Sequence, residues 1–436
     1  MRRVLSAQRV SVLAVGNAAL SWVGRRLASH EGRSARRWFV RAPALLLLVA
    51  AVAAWSGGGR PATPSTRSTS VRSSQGSAGL RGGYVIDLTW ISDDAGWALA
   101  AAPCSHGLCL RIARTEDGGR TWSALPDPPA YLSASSSAEY CDRQPCVDHL
   151  RFATATVGYL FGPSLLITHN GGMSWTRVMS PWVESLEPGP GEVVRIVYNH
   201  DGCPGPCQRK IEAALAGSDD WRVLRTISLG QVSSDAVSAE VIRARPRAIY
   251  VAIYGNVAAG AGTQQTTIYR SLDAGRSWAR LGDTCGGAGV HVQDAIAIAA
   301  TPDGFLAALC LPRTQLGATS VTTSSDEGRS WSPRHAVPQT GDFRPDVIAV
   351  ASPTDLVISN SLAGGSGPYT YTLMLSTDGG TRWSSVVSDR EQLDPNAPQV
   401  SYLGFQDSLV GRWVGYPHAT WTTADGGLQW TQQLFP

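Results

Sequence analysis

Five short strings carry the residues best suited to chemistry: Asp148-His149-Leu150, Glu184-Ser185-Leu186, Glu240-Val241-Ile242, Asp294-Ala295-Ile296 and Asp346-Val347-Ile348. Each is an acid, a spacer and an apolar residue. Carboxylates brought together raise one another's pKa and attract a cation, an amine or a basic peptide. At separations of about 5–9.5 Å they also suit acid/base work in glycoside hydrolysis. A strand start that meets solvent prefers a charge as well, and that plainer reading stands beside the functional one. His149 reads as a core or channel residue. The eight histidines form no HxxxH or HxH pair, and there is no Gly-x-Ser-x-Gly elbow or phosphate loop.

The eight cysteines all follow residue 100 and fall into pairs. Even numbers in neighbouring pairs fit disulfides in an oxidising compartment, here Cys104–Cys109, Cys141–Cys146, Cys203–Cys207 and Cys285–Cys310. Cys203-Pro-Gly-Pro-Cys207 follows His200 and Asp201, which makes a metal site the competing reading there. Four-ligand zinc sites more often use CxxC pairs, so no metal and no cofactor is expected.

What must position these residues is a repeat. Ser/Thr-x-Asp-x-Gly-x-x-Trp recurs with its acid and ring at Asp117/Trp122, Asn170/Trp175, Asp273/Trp278, Asp326/Trp331, Asp378/Trp383 and Asp425/Trp430. The copies begin at Thr115, Thr168, Ser271, Ser324, Ser376 and Thr423, roughly one per 50 residues, with a double interval after Thr168. A decayed copy, Ser218-Asp-Asp-Trp221, lies inside that interval. Asp or Asn accepts from backbone N–H groups just ahead, Gly supplies a positive φ, and each Trp is expected to bury its ring under the turn. These acids and rings are therefore structural.

Four strands read between successive turns, as in Tyr84–Ile91, Gly96–Ala102, Leu108–Thr115 and Thr121–Leu125. Seven such units predict an all-β, seven-bladed β-propeller of four-stranded antiparallel blades over residues 84–436, closed so that no sheet edge is left open. On this map the acids Asp148, Glu184, Glu240, Asp294 and Asp346 open the innermost strands, with Ile86 and Ser401 in the other two units. They are expected around one channel mouth, as a ligand-binding site, with the turns at the blade periphery.

The repeated turns resemble those of the BNR/Asp-box propellers: sialidases, the sortilin ectodomain, xyloglucan hydrolases and a photosystem assembly factor. Gly96-Trp97 and Gly158-Tyr159 are most like the assembly-factor branch. The resemblance covers about residues 84–436 and speaks for fold more than function. For a sialidase it implies an arginine triad, a Tyr/Glu pair and an Asp acid. The Arg-Ile-Pro string that supplies one arginine is missing, Phe343-Arg344-Pro345 being the nearest.

The N-terminus reads as an export signal. Residues 1–41 hold nine arginines and one acid, residues 42–55 are apolar, and residues 56–83 are a flexible Ser/Gly/Pro-rich linker. The apolar run is a signal peptide or a type II signal anchor, with the arginines on the cytoplasmic side. Beyond residue 41 there are 28 basic against 33 acidic residues, which argues against nucleic acid as a partner. The expectation is a monomeric, extracytoplasmic, non-catalytic binding or assembly propeller, attached to the membrane through its N-terminal helix, with a protein or glycan ligand. The alternative is a sialidase-like glycoside hydrolase.

Overall fold

The computed structural model describes residues 80, 82–105, 107–133, 138–199, 207–229, 237–244, 246–255, 266–286, 293–312, 318–338, 345, 347–359, 368–392, 402–416 and 419–435. The segments expected at 1–41 and 42–55, and nearly all of 56–83, lie outside them. Among the described residues no helix is long and apolar enough to cross a membrane.

Runs of alternating apolar residues, each ended by a tight turn, pair with the next run in sequence. The result is seven four-stranded antiparallel sheets, each in simple meander order. Their first strands are Tyr84–Trp90, His149–Phe152, Trp182–Pro188, Val237–Arg243, Gln293–Ala300, Val347–Val350 and Tyr402–Phe405. Consecutive first strands lie against one another from blade 1 to blade 7. Closure comes from blade 7, whose Tyr402, Val414 and Phe435 share one apolar cluster with Val85, Leu88 and Trp122 of blade 1. The architecture is a seven-bladed β-propeller. Between blades 1 and 2 an insertion pairs Tyr131–Leu132 in parallel with Cys146–Val147 around a short helix, Ala138–Arg143.

The repeated turns join third to fourth strands and share one hydrogen-bond pattern. The Ser or Thr hydroxyl donates to the Asp or Asn side chain at 2.8–3.0 Å. The N–H of the Gly four residues past the hydroxyl donates back to it at 2.8–3.0 Å. The N–H four residues past the acid donates to its Oδ1 at 2.8–2.9 Å. The degenerate copy keeps one fragment of this, Asp220 N–H to Ser218 Oγ at 3.0 Å, and lies in blade 3.

The rings of the repeat are not all buried, as the motif alone had suggested. Only Trp122 is, at 3% exposed, because Trp90 and Phe435 cover it with ring centres 5.9 and 5.6 Å away. Trp175, Trp278, Trp331, Trp383 and Trp430 are half-buried. They stand at or just before the outermost strand of their blades, where residues are largely exposed and cover comes from one side. That covered side still packs on the apolar seams: Trp175 on blade 1's cluster, and Trp278, Trp331, Trp383 and Trp430 each on a cluster of their own. The half-buried position also leaves the indole N–H near the turn. Trp278, Trp383 and Trp430 donate from Nε1 to the carbonyl of the glycine three residues before them, Gly275, Gly380 and Gly427, at 2.9–3.0 Å. These residues brace the turn rather than disappear beneath it.

Three first strands end in an aromatic residue facing a glycine of the second strand. These are Trp90 on Gly96, Phe152 on Gly158 and Phe405 on Gly411. A β-carbon on Gly158 would stand 2.6 Å from the Phe152 ring, so the glycine is what lets the ring lie flat on the strand.

Disulfides Cys104–Cys109, Cys141–Cys146 and Cys285–Cys310 are formed, with Cα separations of 5.9, 5.2 and 5.8 Å. Cys207 is disulfide-bonded too, while Cys203 lies outside the described residues. These bonds point to an oxidising environment.

Candidate functional site at the propeller axis

The first hairpins give a ruler for comparing blades. Each closes through an N–H at Ile91, Ala153, Gly189, Ala244, Thr301, Ala351 or Gln406. Five residues before these lie Ile86, Asp148, Glu184, Ala239, Ile296, Asp346 and Ser401. The structure thus sets Asp148 and Glu184 at one height. Glu240 stands one residue nearer the hairpin and Asp294 two residues farther from it, while Asp346 is outside the described residues. The slip has a local cause. First strands of blades 1, 3 and 5 carry a bulge at this level, whereas blade 4 pairs without interruption from Val237 to Arg243. One bulge moves every later side chain to the opposite face.

The sequence-selected acids have separate surroundings. Glu184 accepts from Arg209 Nε at 2.5 Å and from the Ala239 N–H at 2.9 Å, so it ties blade 3 to blade 4. Asp148 sits beside His149 Nε2, 3.4 Å away. Burial lifts the Asp148 carboxyl to about 6 even though His149 pulls it down. Asp294 is buried at the start of the blade 5 strand. Glu240 accepts from the Tyr254 hydroxyl at 2.8 Å, and its second oxygen is buried without a hydrogen-bond donor.

Residues that sequence reading missed complete a buried network from five blades. Asp87 of blade 1 receives Arg151 Nη1 at 2.7 Å and the Leu150 N–H at 2.9 Å, both from blade 2. Arg151 Nε reaches Glu187 of blade 3 at 3.2 Å. Tyr402 of blade 7 and Glu240 of blade 4 both lie within the field of Arg151. His149 Nδ1 stands 3.4 Å from Asp87, bridging that acid and Asp148. One guanidinium is thus shared by two acids, with the shorter bond to Asp87. Burial works against ionisation of Asp87, but Arg151, His149 and the Leu150 N–H hold it below its ordinary value. Glu187 has the longer bond, and burial lifts it to about 7. Glu240 has no cation bonded to it; burial, with the charge of Glu187, lifts it to about 8. Opposite these, the strands of blades 5 and 6 offer Ala297, Ala299, Val347 and Ala349, which pack into apolar seams.

The signal for the missed residues was period two along each strand. Asp87, His149 and Glu240 lie at one height, and Arg151 and Glu187 two residues beyond it. The bulges hid that register from a hand alignment. Among the described residues no group of three His, Cys, Asp or Glu is placed to hold a metal ion. Of the tryptophans outside the repeat, Trp90 and Trp413 are core residues.

No protein-family model matches the chain, and no curated protein sequence matches it. Similar solved structures include YCF48 bound to D1 peptide, 18% identical over 78% of this chain and 93% of that one, with a TM-score of 0.49. YCF48 from Cyanidioschyzon merolae is 13% identical over 81% of this chain and 96% of that chain, TM-score 0.48. A PL25 ulvan lyase is 9% identical over 79% and 90%, TM-score 0.48. At such identities the likeness is one of fold alone.

Proposed function

We propose that the chain is a non-catalytic, extracytoplasmic binding or assembly module of the Asp-box propeller kind. One observation carries this: the turn acids and Asp87, Glu184 and Glu187 at the axis are engaged inside the fold. The turn acids accept from their own backbones, Asp87 and Glu187 share Arg151, and Glu184 is held by Arg209. The disulfides support an exported location. A type II anchor at 42–55 or a cleaved signal, a protein or glycan ligand, and a monomeric state complete the reading.

The Tyr254–Glu240 pair favours a second reading, a sialidase-like hydrolase, because that chemistry uses a tyrosine activated by a glutamate. Here the pair is 5% and 1% exposed. Burial lifts Glu240 to about 8 and Tyr254 well above its ordinary value, so Glu240 holds its proton at neutral pH and is not a base for the phenol. Arg151, which would have to grip a substrate carboxylate, already holds two acids. The test assays the full-length protein on fluorogenic sialosides and xyloglucan, with Tyr254→Phe alongside, and crosslinks it in its native envelope. A saturable crosslink without turnover is expected. Turnover that Tyr254→Phe abolishes would replace the binding reading with the hydrolase.

A further inference from the structure

The outermost strand of each blade is the open edge of its sheet, and these edges differ in length. In blades 1, 2, 4, 5 and 7 that strand is two to four residues long. Very short edge strands are one way a sheet avoids pairing with another chain. Blade 6 ends in Ser384–Gln392, whose sequence carries Asp389, Arg390 and Glu391, and charges blunt an edge as well. Blade 3, where the repeated turn has decayed, ends in the seven residues Arg222–Ser228. Beyond a bulge at Leu224 its register is regular from Arg225 to Ser228.

The ladder fixes which main-chain groups of this strand face outward. The Leu229 N–H donates to the Cys207 carbonyl at 2.7 Å, and Ser228, Thr226 and Arg225 stand opposite Gln208, Lys210 and Ile211. In an antiparallel pair alternate residues turn both N–H and C=O to the partner. Leu229, Ile227 and Arg225 therefore serve blade 3 itself, while Thr226 and Ser228 turn theirs away from it. The sheet ends there, and among the described residues no strand lies beyond. The Thr226 and Ser228 side chains are exposed, as is Val223 at 54%. The strand carries Arg222 and Arg225 and no acid; Asp219 and Asp220 precede it, at the end away from Ser228. Arg222 reaches Glu192 at 3.4 Å. The half-buried Arg225 lies 5.0 Å from the centre of the Tyr269 ring of blade 4, and among the described residues no carboxylate pairs with it. Because its main chain faces inward, an antiparallel strand added outside would meet Arg225 in a non-hydrogen-bonded pair, where side chains approach most closely. A carboxylate is the side chain favoured at such a place.

We propose that the outer edge of blade 3 takes up an extended segment of a partner protein as a fifth strand, with an acidic residue beside Arg225. The proposal rests on the reading of the chain as a binding module and makes its ligand a protein. The test titrates fluorescein-labelled octapeptides with the full-length protein and follows their anisotropy. One peptide alternates threonine and valine around a central glutamate, a second has lysine there, and a third keeps the glutamate but has proline for each valine. Thr226→Pro removes an outward N–H and leaves the blade's own ladder in place, whereas Thr226→Val keeps that N–H. Arg225→Gln removes the charge without touching the main chain. The glutamate peptide should bind about fivefold tighter than the lysine peptide, and the proline peptide should not bind. Thr226→Pro should weaken binding by about tenfold or more, Thr226→Val should leave it within about twofold, and Arg225→Gln should erase the preference for glutamate. No binding of the glutamate peptide, equally tight binding of the proline peptide, an affinity unchanged in Thr226→Pro, or a glutamate preference unchanged in Arg225→Gln would each overturn the proposal. Any of these would leave the binding-module reading to its own crosslinking test.

Discussion

Arg412 in the last blade donates from Nη2 to the backbone carbonyl of Asp93 in the first, at 2.9 Å and across 319 positions of sequence. Its guanidinium also lies 4.3 Å from the centre of the Trp90 ring. The same kind of reach recurs between other neighbours. Trp97 Nε1 donates to the Gly171 carbonyl, the Gly217 N–H donates to the Tyr159 hydroxyl, and Arg270 donates to the Glu327 carbonyl. In each case a middle strand of one blade is clasped to a turn of the next. At the closing seam that clasp joins the two ends of the propeller.

Arg412→Ala should therefore destabilise more than an ordinary surface arginine, by about 2–3 kcal/mol, because it removes a hydrogen bond, ring stacking and buried volume together. Arg412→Lys should recover only part, since an ammonium lacks the planar fork. Urea titration of the two variants against the parent, followed by Trp fluorescence, measures this. Equal midpoints for Arg412→Ala and the parent would show that the clasp contributes nothing.

The turn acids set an acid limit. Hydrogen bonds from the Ser277 hydroxyl and N–H hold Asp273 down to about 2, and the equivalent Ser330 groups do the same for Asp326. Both lie below the ordinary aspartate value of about 4. Their contribution is present above pH 4 and is lost as pH falls through 2. Asp273→Asn should keep the turn, as Asn170 does in blade 2, where its Oδ1 accepts from Ser174 N–H at 2.9 Å. Thermal midpoints from pH 5 down to pH 2 should fall less steeply for that variant than for the parent.

Glu240 should act in the opposite sense. Its value of about 8 lies above that of a free glutamate, so its share of stability is fully present below about pH 4 and is lost as pH rises through 8. Glu240→Gln keeps an acceptor for Tyr254 and removes the titration. Its melting temperature should match or exceed the parent's at pH 8 and lose part of the decline between pH 5 and 8, the rest belonging to the raised carboxyls of Asp148 and Glu187. A decline identical in the variant would assign the pH dependence to other groups.

At the fourth position of the repeated turn, four blades use glycine with φ between 71° and 74°, whereas Ala274 and Glu327 take φ of 59° and 63°. A β-carbon in that left-handed region is unfavourable. Glu327→Gly and Ala274→Gly should each stabilise by about 0.5 kcal/mol, the relief exceeding the added chain entropy of the unfolded state. Denaturant midpoints report it, and a loss of stability in both variants would refute it.

The disulfides should differ in worth by the chain they enclose. Cys285–Cys310 spans 25 positions and Cys104–Cys109 spans 5. Loop-closure entropy assigns about 3.5 kcal/mol to the first and about 2 kcal/mol to the second. Replacing each pair by Ser and comparing unfolding midpoints tests the order. A larger loss from the Cys104–Cys109 pair would reverse it.

The sequence by itself determined the blades. A turn whose Ser or Thr, Asp and Gly are tied within a stretch of a few residues is a local structure, so spacing alone could place it. The glycines under Trp90 and Phe152 act within one blade and are legible for the same reason. How deeply each repeat tryptophan sits was not legible, because the cover comes from elsewhere: Phe435 of blade 7 helps to bury Trp122, while Trp278 and Trp331 keep one side open. The axis was hidden too. Whether Glu240 shares a height with Glu184 depends on a bulge of one residue, which blade 3 has and blade 4 lacks, and a two-against-one pairing is a property of two strands together. Only the tertiary structure turned Arg151 of blade 2 toward both Asp87 of blade 1 and Glu187 of blade 3, because those partners come from the blades on either side of it. The clasp at the closing seam depends still more on closure, since Asp93 and Arg412 are neighbours only once blade 7 has docked on blade 1.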